Sequence, residues 1–130
     1  MLTIMETQGA AGTAAGKVEE IQSKEFQKML NSNNVRLIDE RNPPELVNQG
    51  TIGASVNIPL PDVEDALKLP DEDFKSKYNM EKPSTNDCNF VFLCRSGRRS
   101  LKAAETAVSL GYRCPKNLAG GFTAWKLFLQ

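Results

Sequence analysis

The sequence predicts an α/β fold in which about five short parallel strands form a central sheet with helices on both faces. Short apolar runs, Val35-Arg36-Leu37-Ile38, Val56-Asn57-Ile58 and Asn89-Phe90-Val91-Phe92-Leu93, alternate along the chain with segments of helical periodicity. The last run is nearly continuous in apolar residues, as a strand covered on both faces requires. In such folds sites lie beyond the carboxyl ends of the strands. Asp39 and Cys94 both follow strand runs, so they are expected to face one crevice.

Residues 1–16 are dominated by Ala, Gly, Thr and Met with Glu6 as their one charge, and read as a flexible N-terminal tail, Met5 being an alternative start. Residues 17–130 form the single domain. A short strand is expected near Val18 to Ile21, after which Ser23 N-caps a helix that buries Phe26, Met29 and Leu30. The Asn31-Ser32-Asn33-Asn34 cluster stops that helix. Val35 to Ile38 is the next strand and ends at Asp39-Glu40-Arg41. Pro43-Pro44 presets φ for a first helical turn, so a short helix runs to about Gln49. Gly50 to Ser55 turns the chain into Val56-Asn57-Ile58, which Pro59 closes because it has no N–H to give a ladder. Between Leu60 and Lys82 helical periodicity broken at Pro70 predicts two short helices, with Val63, Leu67, Phe74 and Tyr78 inward. Asn89 to Leu93 then leads through Cys94-Arg95-Ser96-Gly97-Arg98-Arg99-Ser100 into a helix with Leu101, Ala104 and Val108 on its apolar stripe and Gly111 at C′. Arg113 to Leu118 contains the last strand. Beyond Gly120-Gly121, Phe122, Trp125 and Phe128 line the core face of a terminal helix.

Composition excludes several classes of function. Sixteen basic and sixteen acidic residues cancel, so no global field recruits nucleic acid or an anionic membrane. The absence of histidine removes Ser-His-Asp and Cys-His mechanisms and the His-containing zinc sites. Neither a metal nor another cofactor is expected. No apolar run has the length of a membrane span, and the first residues lack the basic and apolar regions of a signal peptide. Cys88, Cys94 and Cys114 are odd in number and share no Cys-x-x-Cys spacing, which fits a reducing compartment. A cytoplasmic monomer is expected, with a mitochondrial location second. Cys88 and Cys114 read as ordinary packing or surface thiols.

Cys94 stands apart from them because of its C-terminal neighbours. Alone, a strand-end cysteine reads as a small buried hydrophobe. Here it opens a strand-to-helix turn, where successive backbone N–H groups and a helix N-terminus favour an anion. Arg95, Arg98 and Arg99 crowd the same turn, although basic residues are disfavoured at a helix start, so an anion is expected to account for them. Gly97 is expected to take a positive φ. Ser96 and Ser100 are candidate hydroxyl donors to the sulfur or to the helix end. All of this favours a thiolate, the nucleophilic form of cysteine.

Four separated motifs then resemble the rhodanese superfamily, and within it the short thiosulfate sulfurtransferase-like members. Leu37-Ile38-Asp39-Glu40-Arg41 is similar to the family's L-hydrophobic-D-x-R strand end, and Gly50 to Pro59 resembles its G-x-I-x-G-A-x-N-I-P segment. Cys94 to Ser100 matches C-x-x-G-x-R-S, and Gly120-Gly121-Phe122-Thr123-Ala124-Trp125 matches the terminal G-G-aromatic-x-x-W. The resemblance implies a rhodanese-like three-layer fold and a two-step transfer. Cys94 takes the outer sulfur of thiosulfate as a persulfide and passes it to cyanide, to glutathione or to a thioredoxin-like thiol. It also implies substrate-binding roles for Arg95, Ser96, Gly97, Arg98, Arg99 and Ser100. Basic loops of this kind go with thiosulfate rather than mercaptopyruvate. Asp39 and Arg41 are expected beside the loop, bracing it.

Two departures stand out. Glu40 occupies a position the family usually fills with an apolar residue, and a carboxylate there needs an exit to solvent or a partner. At Gly53-Ala54-Ser55 the usual P-G-A turn is altered. Two rival functions are a persulfide carrier or redox-responsive binding module with slow turnover, and a cysteine phosphatase, some of which share this fold. The phosphatase pattern Cys-x5-Arg requires an arginine where this chain has Ser100.

Overall fold

The computed structural model of the chain describes residues 16–32 and 34–130. Apart from Gly16, the expected N-terminal tail lies outside the described residues, as does Asn33. Five strands, β1 (Glu19–Ile21), β2 (Arg36–Asp39), β3 (Val56–Asn57), β4 (Phe90–Leu93) and β5 (Lys116–Leu118), form one sheet in the order β1-β5-β4-β2-β3. Every pairing is parallel. The helices are α1 (Ser23–Asn31), α2 (Pro43–Gln49), α3 (Val63–Lys68), α4 (Asp71–Tyr78), α5 (Arg98–Ser109) and α6 (Gly121–Phe128), with a 3-10 turn at Leu60–Asp62.

Central β4 is buried along its whole length, and the alternation of its side chains divides the core in two. On one face Phe90 and Phe92, with Ile38 of β2, pack against Val63, Ala66 and Leu67 of α3, Phe74 of α4, and Ala103, Ala104 and Ala107 of α5. On the other, Val91 and Leu93 join Leu37 and Leu118 against Phe26 of α1 and Phe122 and Trp125 of α6. Adjacent strands ending together leave a rim at their carboxyl ends, where Asp39 and Leu93 lie opposite each other. Gly111 follows α5 with φ 99°, in the place expected of a C′ glycine.

Packing departs from the sequence expectation in a few places. The inward stripe of α5 is Ala103, Ala104 and Ala107 with Ser100, while Leu101 and Val108 are half-buried at its margins. Small side chains let this helix approach the sheet closely, and the larger ones fit only at the edges. Phe128 is 40% exposed; it stacks on Trp125 at the last turn of α6. Tyr78 is half-buried against Phe74. Gln22 rather than Ser23 is the N-cap of α1.

Cys88 and Cys114 correct the reading of free thiols, because they form a disulfide. Register explains the pairing: Val91 lies opposite Lys116, so the segments entering β4 and β5 run side by side and bring the two Cα atoms to 5.1 Å. The bond closes a segment of 26 residues, for which loop-closure entropy gives about 3–4 kcal/mol of stabilisation. Reduction, or Cys88→Ser, is expected to lower the urea midpoint accordingly. An unchanged midpoint in reductant would show that the bond contributes nothing.

Candidate active site

Cys94 leaves β4 fully buried, and the chain curls around its sulfur. The Gly97 N–H donates to Cys94 Sγ at 3.1 Å and the Ser100 N–H at 3.4 Å, while Ser100 Oγ lies 3.3 Å from it. Ser100 is the third residue of α5, so its N–H is one of the first-turn donors that the helix leaves unpaired. Gly97 adopts φ 97°, and a Cβ there would press on the Gly120 N and the Leu118 O. Burial by itself would raise the thiol's pKa. Hydrogen bonds from the Ser100 hydroxyl and from the backbone of Ser100, Gly97 and Ser96 outweigh it, holding Cys94 below the ordinary cysteine range. The pocket therefore favours a thiolate without any base.

A second layer holds this ring in shape. Ser100 Oγ also pairs with Asn117 Oδ1, and Asn117 Nδ2 donates to the Gly97 carbonyl at 3.2 Å and to Glu20 at 3.0 Å. The serine has one proton, so it serves sulfur or amide at any instant. The start of α6 fastens the loop from outside, with the Phe122 N–H on the Cys94 carbonyl (2.8 Å) and the Thr123 N–H on the Arg95 carbonyl (3.0 Å). Gly121 permits this approach, since a Cβ at its φ of 60° would collide with the Cys94 and Arg95 carbonyls.

Asp39 and Arg41 form a buried ion pair at the end of β2. Arg41 donates through Nε to Asp39 Oδ1 at 3.0 Å and through one terminal nitrogen to Oδ2 at 2.7 Å and to the Gly50 carbonyl at 2.7 Å. Its guanidinium lies 4.3 Å over the Phe122 ring. Asn57 Nδ2 bridges the carbonyls of Asp39 and Arg41. These contacts tie β2, β3 and α6 together around the loop, a bracing geometry rather than one aimed at the sulfur.

The three loop arginines do not share one environment. Arg99 makes a two-pronged pair with Glu45 of α2, at 2.8 and 2.9 Å. That bond drives the Glu45 carboxyl down to about 2, aided by the Asn42 N–H. An internal carboxylate thus accounts for one of the three arginines that the sequence left without an anion. Arg98 is exposed. Arg95 lines an open groove of about 290 Å³ with Gln49, Phe122, Thr123, Lys126 and Leu127, next to the loop. Ser96 is exposed and contributes through its backbone.

Glu40 has neither the solvent exit nor the partner expected of it. It is fully buried and both carboxyl oxygens lack hydrogen bonds. Burial first, then Asp39 and Cys94, lift its pKa from 4.5 to about 10 against the opposing pull of Arg99, so it stays protonated. The unfolded chain gives up this proton above about pH 4.3, whereas the folded chain keeps it. Its contribution to stability therefore falls as pH rises through that window.

Asn117 and Glu45 escaped the sequence reading. Glu45 was detectable as the third residue of a helix opening on Pro43, the acidic half of a capping box. Asn117 follows Lys116 in a strand buried along its whole length, and its polarity alone did not set it apart.

A family model described as a rhodanese-like domain matches residues 22–127. The mouse (Mus musculus) thiosulfate sulfurtransferase/rhodanese-like domain-containing protein 3 is 46% identical over 102 residues, which cover 78% of this chain and 64% of that protein, just under two thirds of its length. A human (Homo sapiens) protein, thiosulfate:glutathione sulfurtransferase, is 39% identical over 101 residues, 78% of this chain and 87% of the relative. The solved structure of the human single-domain sulfurtransferase TSTD1 aligns with a TM-score of 0.77 at 36% identity, covering 83% of this chain and 95% of that one.

Proposed function

The chain belongs to the rhodanese-like family of sulfurtransferases, and on that premise we propose that it moves the outer sulfur of thiosulfate to a thiol acceptor through a persulfide on Cys94. The observation that carries this reading is the convergence of two backbone N–H groups and the Ser100 hydroxyl on Cys94 Sγ. The thiolate attacks the outer sulfur of thiosulfate. A new S–S bond forms as the donor's own S–S bond breaks, and sulfite leaves with the electron pair. An acceptor thiolate then attacks the outer sulfur of the persulfide, and Cys94 departs as the thiolate it began as. Neither step needs a proton shuttle, in keeping with a chain that has no histidine. Preorganised donors stabilise the anion at each stage.

Arg95 and Lys126 give the groove beside the loop a positive lining that suits an anionic donor or acceptor. Similarity to the human thiosulfate:glutathione sulfurtransferase favours glutathione as acceptor. Slow carriage of sulfur to one protein partner is the second reading, favoured by the full burial of Cys94, which restricts who can reach it. Phosphate-ester hydrolysis is disfavoured, because Ser100 occupies the place of the phosphatase arginine and turns its hydroxyl to the sulfur.

Steady-state kinetics across thiosulfate, mercaptopyruvate and glutathione persulfide, with glutathione or cyanide as acceptor, tests the assignment. A kcat/KM for thiosulfate at least about tenfold above that for mercaptopyruvate is expected, a gap of one order of magnitude in transition-state binding. A preference for mercaptopyruvate would overturn the donor assignment.

A further inference from the structure

Among the described residues, Glu40 is the buried side chain whose carboxyl oxygens find no partner. Strand register sets its place. Asp39 lies opposite Leu93 across parallel β2 and β4, and the Glu40 N–H donates to the Leu93 carbonyl at 2.7 Å, so Glu40 leaves the sheet beside Cys94. Side chains alternate along both strands, with Leu37, Val91 and Leu93 in one core and Ile38 and Phe92 in the other. Two residues beyond Ile38 and Phe92, Glu40 and Cys94 share the face that α5 covers. The titratable and charged groups facing the Glu40 carboxyl are Asp39 from β2, Cys94 from the loop and Arg99 from α5. Asp39 is committed to Arg41, and Arg99 to Glu45.

Burying an unpartnered carboxyl is unfavourable, and an apolar residue would avoid the cost, so a state of the protein that uses the group is called for. The resting sulfur already has its donors in Gly97 and Ser100. A second sulfur bonded to it adds a further anionic atom to the pocket, next to a Glu40 carboxyl that has no other partner. We propose that Glu40 keeps its proton as a hydrogen-bond donor to the terminal sulfur of the Cys94 persulfide and so stabilises the loaded enzyme. The inference rests on the persulfide reading above. No proton changes owner in either step: the O–H stays on Glu40, and a neutral carboxyl is the form that can donate. An ionised Glu40 would repel the same sulfur, so the stabilisation belongs to pH values below its ionisation.

The test loads wild type, Glu40→Gln and Glu40→Leu with thiosulfate, removes the donor, and follows loss of the added sulfur by intact-mass spectrometry without acceptor. Glu40→Gln keeps a neutral donor, and Glu40→Leu removes it while filling the space with an apolar side chain. The loaded form of Glu40→Leu is expected to decay about tenfold faster than wild type, the scale of one hydrogen bond to an anion, and Glu40→Gln to recover most of the lifetime. As pH approaches 10, wild type should lose its advantage over Glu40→Leu while Glu40→Gln retains it. A structural role alone would move thermal midpoints without separating the two variants in this way. Equal lifetimes in all three proteins would overturn the role of Glu40 and leave the transfer reading intact. Failure of wild type to load any sulfur would overturn both.

Discussion

Asp39→Ala is expected to destabilise the protein by about 3–5 kcal/mol, the cost of leaving a buried partner charge uncompensated. Arg41 is fully buried, and three of its hydrogen bonds from the side chain end on the Asp39 carboxylate. Without Asp39 it retains the Gly50 carbonyl, the Gln49 side-chain oxygen and the Phe122 ring, none of which neutralises a guanidinium. Urea denaturation measures the loss directly. Asp39→Asn should fall between, since an amide accepts hydrogen bonds without carrying charge. Activity is expected to decline with the folded fraction, because the pair braces the loop and does not face the sulfur. A loss of stability under about 1 kcal/mol would mean that the pair behaves as a solvated surface ion pair.

Cys94→Ala is expected to reduce thiocyanate formation from thiosulfate and cyanide by at least about a thousandfold, as removal of a covalent nucleophile does. Cys94→Ser should be nearly as inactive. The Gly97 and Ser100 donors stabilise an anion that a serine hydroxyl does not form at neutral pH. Both variants are expected to fold, since the loop is also held by contacts that do not use the sulfur: the Phe122 and Thr123 N–H groups on the Cys94 and Arg95 carbonyls, and Asn117 on the Gly97 carbonyl. Activity of Cys94→Ala within a few-fold of wild type would remove the nucleophile from the mechanism.

What could be read from the sequence was what lies close together along the chain. Pro43-Pro44 presets helical φ at one defined point, and α2 runs from Pro43 to Gln49 as expected. The residues around the sulfur are equally local, because Gly97 and Ser100 are three and six positions beyond Cys94, and the positive φ of Gly97 follows from the turn they must make. Contacts created by parallel pairing were hidden. The Cys88–Cys114 bond, the Asn117 buttress under Ser100 and the Glu45 partner of Arg99 join segments 17 to 54 residues apart, and no local pattern marks the two members of each as partners. Glu40 was visible as an unusual residue at a strand end, but its resolution by protonation rather than by an ion partner depended on which charges surround it. The stripe of α5 was misplaced for another physical reason. Alanines carry little hydrophobicity by scale, yet Ala103, Ala104 and Ala107 decide how near the helix can come to β4.

Whether Cys94 carries the transferred sulfur is decided by intact-mass spectrometry of thiosulfate-treated wild type and Cys94→Ala protein. A gain of one sulfur atom is expected on wild type alone, removed again by cyanide with release of thiocyanate. The same gain on Cys94→Ala, or no gain on wild type, would contradict that role.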